Sequence, residues 1–471
     1  MSSVKKNYIY NVMYQMLVMI LPIITAPYIS RILGAEGTGI YSYTYSVANY
    51  FVLFAMLGLN NYGNRIIAKV RDNKDKLSIE FKSVYTIQFI LAFIISILYL
   101  LYSCFFVNTN KEIAYIQGLY VLSAILDINW FFWGMEKFKL TVTRNTVIKF
   151  ISVALIFIFV KKPTDLWKYT LIMSISILIS QLAIWPFVRK YVNLKEKISI
   201  KNAFKKHLRP MLVLFIPVIA TSVYRIMDKI MLGKMISMEV VGQYEYADKI
   251  VNMTIALFTS LGTVMLPKIS NLISKGENDK SKEYLDKSME FSMFIGLPIS
   301  VGIISVADNF MPLFLGTEYV LAGRILQCLS ISLIFIIIGN NIKTQYLIPN
   351  ERDKEFIVSV ILGAIVNFVL NIVLIPKLNV FGAVIGTISA EIVVCAYQIL
   401  SVKNEIDNRL YIKMFFKYLS YSIIMFVCIN TIRIFIKNEI YLMILQIISG
   451  IIIYSILSRK YIKTILKSVV K

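Results

Sequence analysis

The sequence has one histidine and four cysteines in 471 residues, and charged residues make up only 16% of it. Cys104, Cys328, Cys395 and Cys428 lie singly in apolar segments without metal or redox spacing and read as small buried hydrophobes. His207 stands in a basic stretch, where a solvated side chain is expected. Without a metal or redox spacing among the cysteines, and with its one histidine in a basic loop, the chain offers little catalytic material. A Gly-x-x-x-x-Gly-Lys-[Ser/Thr] loop is also missing, which argues against ATP hydrolysis by this chain. Long hydrophilic loops are lacking as well. The largest inner one, 189–210, is basic and too short for a soluble domain, and no outer loop is long enough to hold a catalytic site.

Apolar residues are abundant instead: 58% of the chain is hydrophobic and the mean hydropathy is +0.69. A bilayer core about 30 Å thick needs about 20 mostly apolar residues per helix. Fourteen stretches qualify, at roughly 9–30, 40–63, 84–107, 114–134, 146–160, 167–188, 211–234, 240–266, 289–307, 320–341, 356–376, 381–400, 414–435 and 440–458. The first run is long enough to span and has no small-residue cleavage site, so it reads as a retained helix. The expected fold class is an all-α polytopic membrane protein. A net charge of +23 is here a matter of topology rather than of nucleic-acid binding. The connecting segments alternate, so that 37 of the 50 Lys and Arg residues fall on one side and ten on the other. The positive-inside bias then makes both termini cytoplasmic.

The chain repeats itself faintly. Gly39-Ile40-Tyr41-Ser42-Tyr43 opens the second span and Gly242-Gln243-Tyr244-Glu245-Tyr246 the eighth, 203 residues later. Arg65-Ile66 and Lys268-Ile269 match at the same offset, and Pro22 and Pro217 occupy similar contexts in spans 1 and 7. Six spans per repeat make parallel repeats, which in transporters are related by an axis along the membrane normal with the substrate between them. The expected division is an N-lobe over 1–195 (helices 1–6), a C-lobe over 196–402 (helices 7–12), and helices 13–14 with a basic cytoplasmic tail over 403–471.

Ionisable side chains at membrane depth cost about 2.5–3.5 kcal/mol each on insertion scales, which makes each a candidate functional residue. Helix 7 carries Arg225, Asp228 and Lys229 on one face, and helix 8 carries Glu245, Asp248 and Lys249. Their depths permit Arg225–Asp248 and Asp228–Lys249 pairs, and mutual neutralisation between helices is the bland alternative. Asp127 lies in helix 4, Lys149 in helix 5, Lys343 in helix 10 and Glu391 in helix 12. Lys149 and Lys343 lie near cytoplasmic ends, where snorkelling is the plain reading. Gln15, Gln88, Gln181, Gln327 and Gln398 suit helix–helix contacts. Tyr41, Tyr43, Tyr224 and Tyr244 are candidates for stacking against a sugar.

Pro27-Tyr28-Ile29-Ser30-Arg31-Ile32-Leu33-Gly34 followed by Gly37-Thr38-Gly39-Ile40-Tyr41 resembles the first-helix signature of Wzx-type polysaccharide repeat-unit flippases. Gly58-Leu59-Asn60-Asn61-Tyr62-Gly63-Asn64-Arg65 is similar to their second-helix ending. Asp127-Ile128-Asn129-Trp130-Phe131-Phe132-Trp133-Gly134 is similar to their fourth-helix motif, and Asp228-Lys229-Ile230-Met231-Leu232-Gly233 to their helix 7–8 motif. None of these motifs reports the glycan. The resemblance implies the multidrug/oligosaccharidyl-lipid/polysaccharide exporter fold, alternating access, and an undecaprenyl-diphosphate-linked oligosaccharide as substrate, moved between leaflets of a bacterial plasma membrane. A diphosphate calls for cations, and Arg fits phosphate oxygens. Arg225, Lys229, Lys249 and Arg31 are the candidates, with Lys149 and Lys343 nearer the entrance and Tyr224 and Tyr244 beside them. Asp127, Asp228, Asp248 and Glu391 are the candidates for ion coupling. No cofactor or resident metal is expected, and a monomer suffices, with a polysaccharide polymerase and glycosyltransferases as potential partners. The alternatives on the same fold are a cation-coupled multidrug exporter and a peptidoglycan-precursor flippase. A membrane enzyme lacks catalytic material.

Overall fold

A 54-residue helix, α1 (Ser3–Met56), opens the chain. At 1.5 Å per residue it is about 80 Å long, far more than one crossing needs. Gly34, with φ 67° and ψ −179°, interrupts its helical geometry, a conformation that glycine adopts without the Cβ penalty. The first two spans therefore meet at a kink rather than at the loop expected near 30–40, and Arg31 is an exposed helical residue. The computed structural model describes the backbone of residues 3–193, 196 and 198–470, and their side chains except at 3–20, 261, 263, 264 and 465–470.

The chain continues through α2 (Leu59–Val70), α3 (Lys74–Phe105), α4 (Lys111–Leu126), α5 (Asn129–Gly134), α6 (Phe138–Phe159), α7 (Leu166–Leu182), α8 (Trp185–Val188) and α9 (Ile200–Met235). The second part comprises α10 (Met238–Ser274), α11 (Asn278–Leu315), α12 (Val320–Leu329), α13 (Ser332–Ile342), α14 (Asp353–Leu378), α15 (Val380–Ser401), α16 (Asn408–Phe435), α17 (Glu439–Leu457) and α18 (Arg459–Val470). Among the described residues there is no strand. Among the described residues, eleven stretches are long and apolar enough to cross a membrane, and α12 with α13, bent by 45°, makes a twelfth if the pair is one span. Kinked α1, outside that count, has length for two more crossings. The fourth expected span is broken at Asp127–Ile128 and the tenth at Ser330–Ile331. Polar caps start several helices: Asn73 accepts from the Lys76 amide, Asp407 from Leu410, and Asn438 from Ile440 and Tyr441.

Contacts divide the chain into two units. The first comprises 1–222 and 229–242. Here α1 packs on α3, α4 and α6, α4 on α7, and α2 on α5. Trp130, Phe131 and Phe132 are fully buried with Phe81, Leu59 and Ile67. A Cβ on Gly63 would overlap the Trp130 ring, and one on Gly134 would press on Ile67. The second-helix ending and the fourth-helix motif are thus the two halves of one packing knot. Gln88 serves the break at Asp127: its amide donates to the Ala124 and Asp127 carbonyls at 2.7 Å each, and its oxygen accepts from Trp130 Nε1 at 3.0 Å. Carbonyls freed by a broken span need such partners in a bilayer.

The duplicated glycines also meet. A Cβ on Gly39 would fall on the Met238 carbonyl and one on Gly242 on the Ala35 carbonyl, so α1 and the first turn of α10 cross backbone to backbone. His207 departs from expectation: it is 0% exposed, with Nδ1 2.6 Å from the Tyr62 hydroxyl and Nε2 3.3 Å from Glu80, which Lys206 also engages. The cysteines depart in part, because Cys395 is buried whereas Cys104 is exposed and Cys328 and Cys428 are half-buried.

The second unit comprises 223–228 and 243–471. Its α14 and α15 form a tight hairpin at Asn379, and α11 packs on α12, α13, α16 and α17 around Met289, Met293, Leu297 and Tyr418. A polar latch ties the start of α14 to the turn after α15. Arg352 Nη1 is 2.7 Å from Glu405 Oε1, and the Tyr346 hydroxyl donates to the same carboxylate. Those bonds, that of Tyr346 first, hold the Glu405 carboxyl below the usual glutamate range. Phe89, Phe93, Ile97 and Leu101 on α3, and Ile444, Ile448 and Ile452 on α17, are exposed at one-turn spacing. Apolar faces of that length suit lipid rather than water.

Candidate functional site

The second unit holds two polar clusters built from shared helices. In the first, Asp228 of α9 is 1% exposed and accepts four hydrogen bonds. Oδ2 accepts from the Tyr244 hydroxyl (2.7 Å) and the Thr387 hydroxyl (2.5 Å), and Oδ1 from the Asn371 (2.6 Å) and Asn367 (3.2 Å) amides. An ionised carboxylate has about four acceptor sites, so neutral donors saturate this one. Asn367 Oδ1 accepts from the Asn371 amide, whereas the buried Asn371 Oδ1 has no hydrogen-bond partner. With these donors on its oxygens, Asp228 would take a small cation only by displacing them, with the carboxylate and the turned hydroxyl and amide oxygens as ligands. Among the described residues no group of three or more His, Cys, Asp or Glu gathers for a metal ion.

The second cluster centres on Arg225. This residue is exposed although it lies ten residues before the end of α9, about 15 Å along the helix. The Tyr224 hydroxyl and the acids Glu391 and Asp248 act on its charge. Asp248 lies ten residues into α10 and Glu391 eleven into α15, so the three share one depth. Glu391 is buried and faces both Arg225 and Lys343. Lys343 begins a five-residue π-helical turn, 343–347, a form often found at functional positions, and its ammonium lies 5.3 Å from the Phe356 ring centroid.

The two clusters are one helical turn apart. α9 contributes Asp228 and Arg225, α10 contributes Tyr244 and Asp248, and α15 contributes Thr387 and Glu391. Spacings of three and four keep each pair on one face. Movement of any of the three helices therefore changes both clusters.

Other expected residues lie elsewhere. Asp228 does not pair with Lys249, because the neutral donors take its lone pairs. Lys249 instead faces Glu245 at 3.9 Å and lies over the Tyr246 ring. Tyr224 and Tyr244 are both buried, and the Tyr244 hydroxyl belongs to the Asp228 cage. Lys229, Arg31, Lys149 and Asp127 belong to the first unit. There Asp127 Oδ1 accepts from the Asn129 amide nitrogens, and Asn129 Oδ1 accepts from Arg144 Nη2 at 2.8 Å. The sequence reading missed Asn367, Asn371 and Thr387. The only signal was the Asn-x-x-x-Asn pair in an otherwise apolar α14.

The sequence matches the family described as polysaccharide biosynthesis protein over residues 4–273, and MatE over 213–374. A Shigella dysenteriae protein named for O-antigen transport is 27% identical over 395 residues, covering 81% of this chain and 96% of that protein. An Escherichia coli (strain K12) protein of the same name is 25% identical, covering 86% and 97%. Among solved structures, the lipid II flippase MurJ in an inward closed conformation is similar with a TM-score of 0.80 at 18% identity, covering 98% of this chain and 99% of that one. An inward-facing MATE multidrug transporter gives a TM-score of 0.58 at 14% identity, covering 82% and 98%. The chain belongs to the polysaccharide biosynthesis protein family, as a multi-pass helical membrane protein with the fold shared by MurJ and the MATE transporters.

Proposed function

We propose that the protein is a flippase that carries undecaprenyl-diphosphate-linked oligosaccharide repeat units from the inner to the outer leaflet of the plasma membrane, by alternating access, for cell-surface polysaccharide biosynthesis. The observation that carries this reading is Arg225: an exposed guanidinium at mid-span, with Lys343 beside the same glutamate. A charge at that depth is costly, and an arginine fork answers a diphosphate. The full-length likeness to proteins named for O-antigen transport supports the class of substrate. In this reading two lobes rock about the substrate, both termini face the cytoplasm, and the polymerase and glycosyltransferases of the same polysaccharide are the partners. Lys229, Lys249, Arg31 and Lys149 serve as secondary cations along the path.

A monovalent cation exchanging at Asp228 would reach the Arg225 cluster through the three shared helices. Asp248, Glu391 and Asp127 are the other acids to which a coupled ion or proton is assigned. The membrane potential adds a drive, since an outward-moving negative charge gains about 2.3 kcal/mol per 100 mV.

The test is deletion of the gene in its host, complemented with wild type, Arg225→Lys or Arg225→Ala. Lipid-linked repeat units on each leaflet and surface glycan are then followed. Wild type restores export, Arg225→Lys restores part of it, and Arg225→Ala leaves intermediates on the inner leaflet. Unchanged glycan with altered drug sensitivity would instead assign the chain to multidrug export.

A further inference from the structure

A cavity of about 700 Å³ opens in the first unit where α5 and α6 face α8 and the residues flanking it. Its mouth carries Lys137, Lys139 and Arg144, and its walls are apolar, with Val147, Ile184 and Phe187. The acid at the mouth, Glu136, is 2.6 Å from Arg71 in an ion pair, so the charge presented to the cavity is cationic. Lys137 also lies 5.8 Å from the centroid of the Tyr191 ring, another lining residue.

Arg144 is held from behind. Its Nη2 donates to Asn129 Oδ1 at 2.8 Å and to Asn145 Oδ1 at 2.7 Å, and Nε donates to Asn145 Oδ1 at 3.1 Å. Asn145 Oδ1 also accepts from the Ser180 hydroxyl, and the Asn129 amide donates to Gln181. A polar network spanning α5, α6 and α7 thus fixes a guanidinium in the lining of the pocket, beside the two lysines. Fixing a fork in advance lowers the entropy lost when an anion binds.

The surroundings say what kind of anion. Among the described spans α6 is the least covered, with 11% of its apolar window buried. Val147, Phe150 and Ile151 stand about half exposed in a stripe that leads from the pocket along α6. Arg144 is six residues into α6, about 9 Å, which is headgroup depth for a helix that begins at the interface. Cations at headgroup depth over apolar walls that open sideways match a phosphate with a hydrocarbon tail. Basic pockets between membrane helices on the cytoplasmic side hold anionic head groups in this way. The alternation of loop charge puts this end of α6 in the inner leaflet.

We propose that this pocket binds the phosphate head of an anionic glycerophospholipid of the inner leaflet, which wedges α6 against α7 and α8. The lipid is a resident part of the first unit and not the transported substrate.

The experiment places the purified protein in phosphatidylcholine nanodiscs doped with phosphatidylglycerol, and native mass spectrometry counts the lipids retained on release. Wild type keeps phosphatidylglycerol over phosphatidylcholine. Lys137→Gln with Lys139→Gln, at exposed positions, weakens that retention about fivefold per lysine, the change one basic residue near an anionic surface makes, and so about 25-fold together. Lys137→Arg with Lys139→Arg keeps it, and thermal midpoints establish that both variants fold. Equal retention by the glutamine variant, equal retention of phosphatidylcholine by wild type, or tighter retention of undecaprenyl phosphate than of phosphatidylglycerol would overturn the proposal.

Discussion

Asp228 shows how a single buried carboxylate can be both structural and functional. Four neutral donors surround it, so removing it strands groups that were buried to serve it. An unsatisfied buried donor costs about 1–3 kcal/mol. The full sum is not expected, because the Tyr244 and Thr387 hydroxyls lie 3.4 Å apart and the two asparagines already bond each other. Asp228→Ala should therefore lower stability by about 2–3 kcal/mol, below the roughly 4 kcal/mol that four independently stranded donors would cost at least. Asp228→Asn keeps the shape, and the two hydroxyls can turn to accept from the new amide, so it should fold close to normally while losing the charge. The discriminating measurement is the thermal midpoint in detergent, titrated separately with sodium, lithium and potassium chloride at constant ionic strength. The proposed coupling expects a midpoint raised selectively by one of these cations in wild type and unmoved in Asp228→Asn. A selective shift that survives in Asp228→Asn would remove the ion from this position.

At the scale of the helix, the crossing of α1 and α10 leaves no room for any side chain. Cβ atoms at Gly39 or Gly242 would fall on backbone carbonyls of the opposite helix, and a backbone cannot rotate aside as a side chain can. Gly39→Ala should cost about 1–3 kcal/mol or more through overpacking. Gly302→Ala, mid-helix in α11 with nothing within 4 Å of the added Cβ, should gain up to about 1 kcal/mol from helix propensity. Comparing the two thermal midpoints separates close approach from a general intolerance of substitution. The glycines were legible as a repeated motif, yet their contact with each other was not, since sequence spacing carries no crossing point. The same limit explains other departures. The gap between the first two apolar stretches, 31–39, reads as a loop because hydrophobic length lapses there, but one residue at positive φ suffices to redirect a continuing helix. His207 reads as solvated because its sequence neighbours are basic, and the partners that bury it, Tyr62 and Glu80, are more than 100 residues away. The spans themselves were legible because hydrophobic length is a local property. So were the charges in α9 and α10, which stand out in apolar helices, whereas Asn367, Asn371 and Thr387 resemble ordinary polar contacts between helices.

For the whole molecule, orientation decides what the proposed transport means, since an inverted chain would move its substrate inward and against the potential. The split of loop charge sets that orientation. Each basic residue near an anionic cytoplasmic surface is worth about 1 kcal/mol, so a bias of 37 against ten among 50 leaves the inverted form far less favourable. Three exposed positions test it: Asn108 between α3 and α4, Lys275 between α10 and α11, and Lys463 on α18. Each is changed singly to cysteine in a Cys104→Ser background, because the native Cys104 is itself exposed near the end of α3. A membrane-impermeant maleimide applied to intact cells should label Asn108→Cys, and should reach Lys275→Cys and Lys463→Cys only after permeabilisation. Labelling of Lys275→Cys and Lys463→Cys in intact cells, with Asn108→Cys protected, would invert the topology. It would also move the lipid pocket beside Arg144 to the outer leaflet, and a chain so inverted would carry an anionic lipid-linked glycan inward, against the membrane potential.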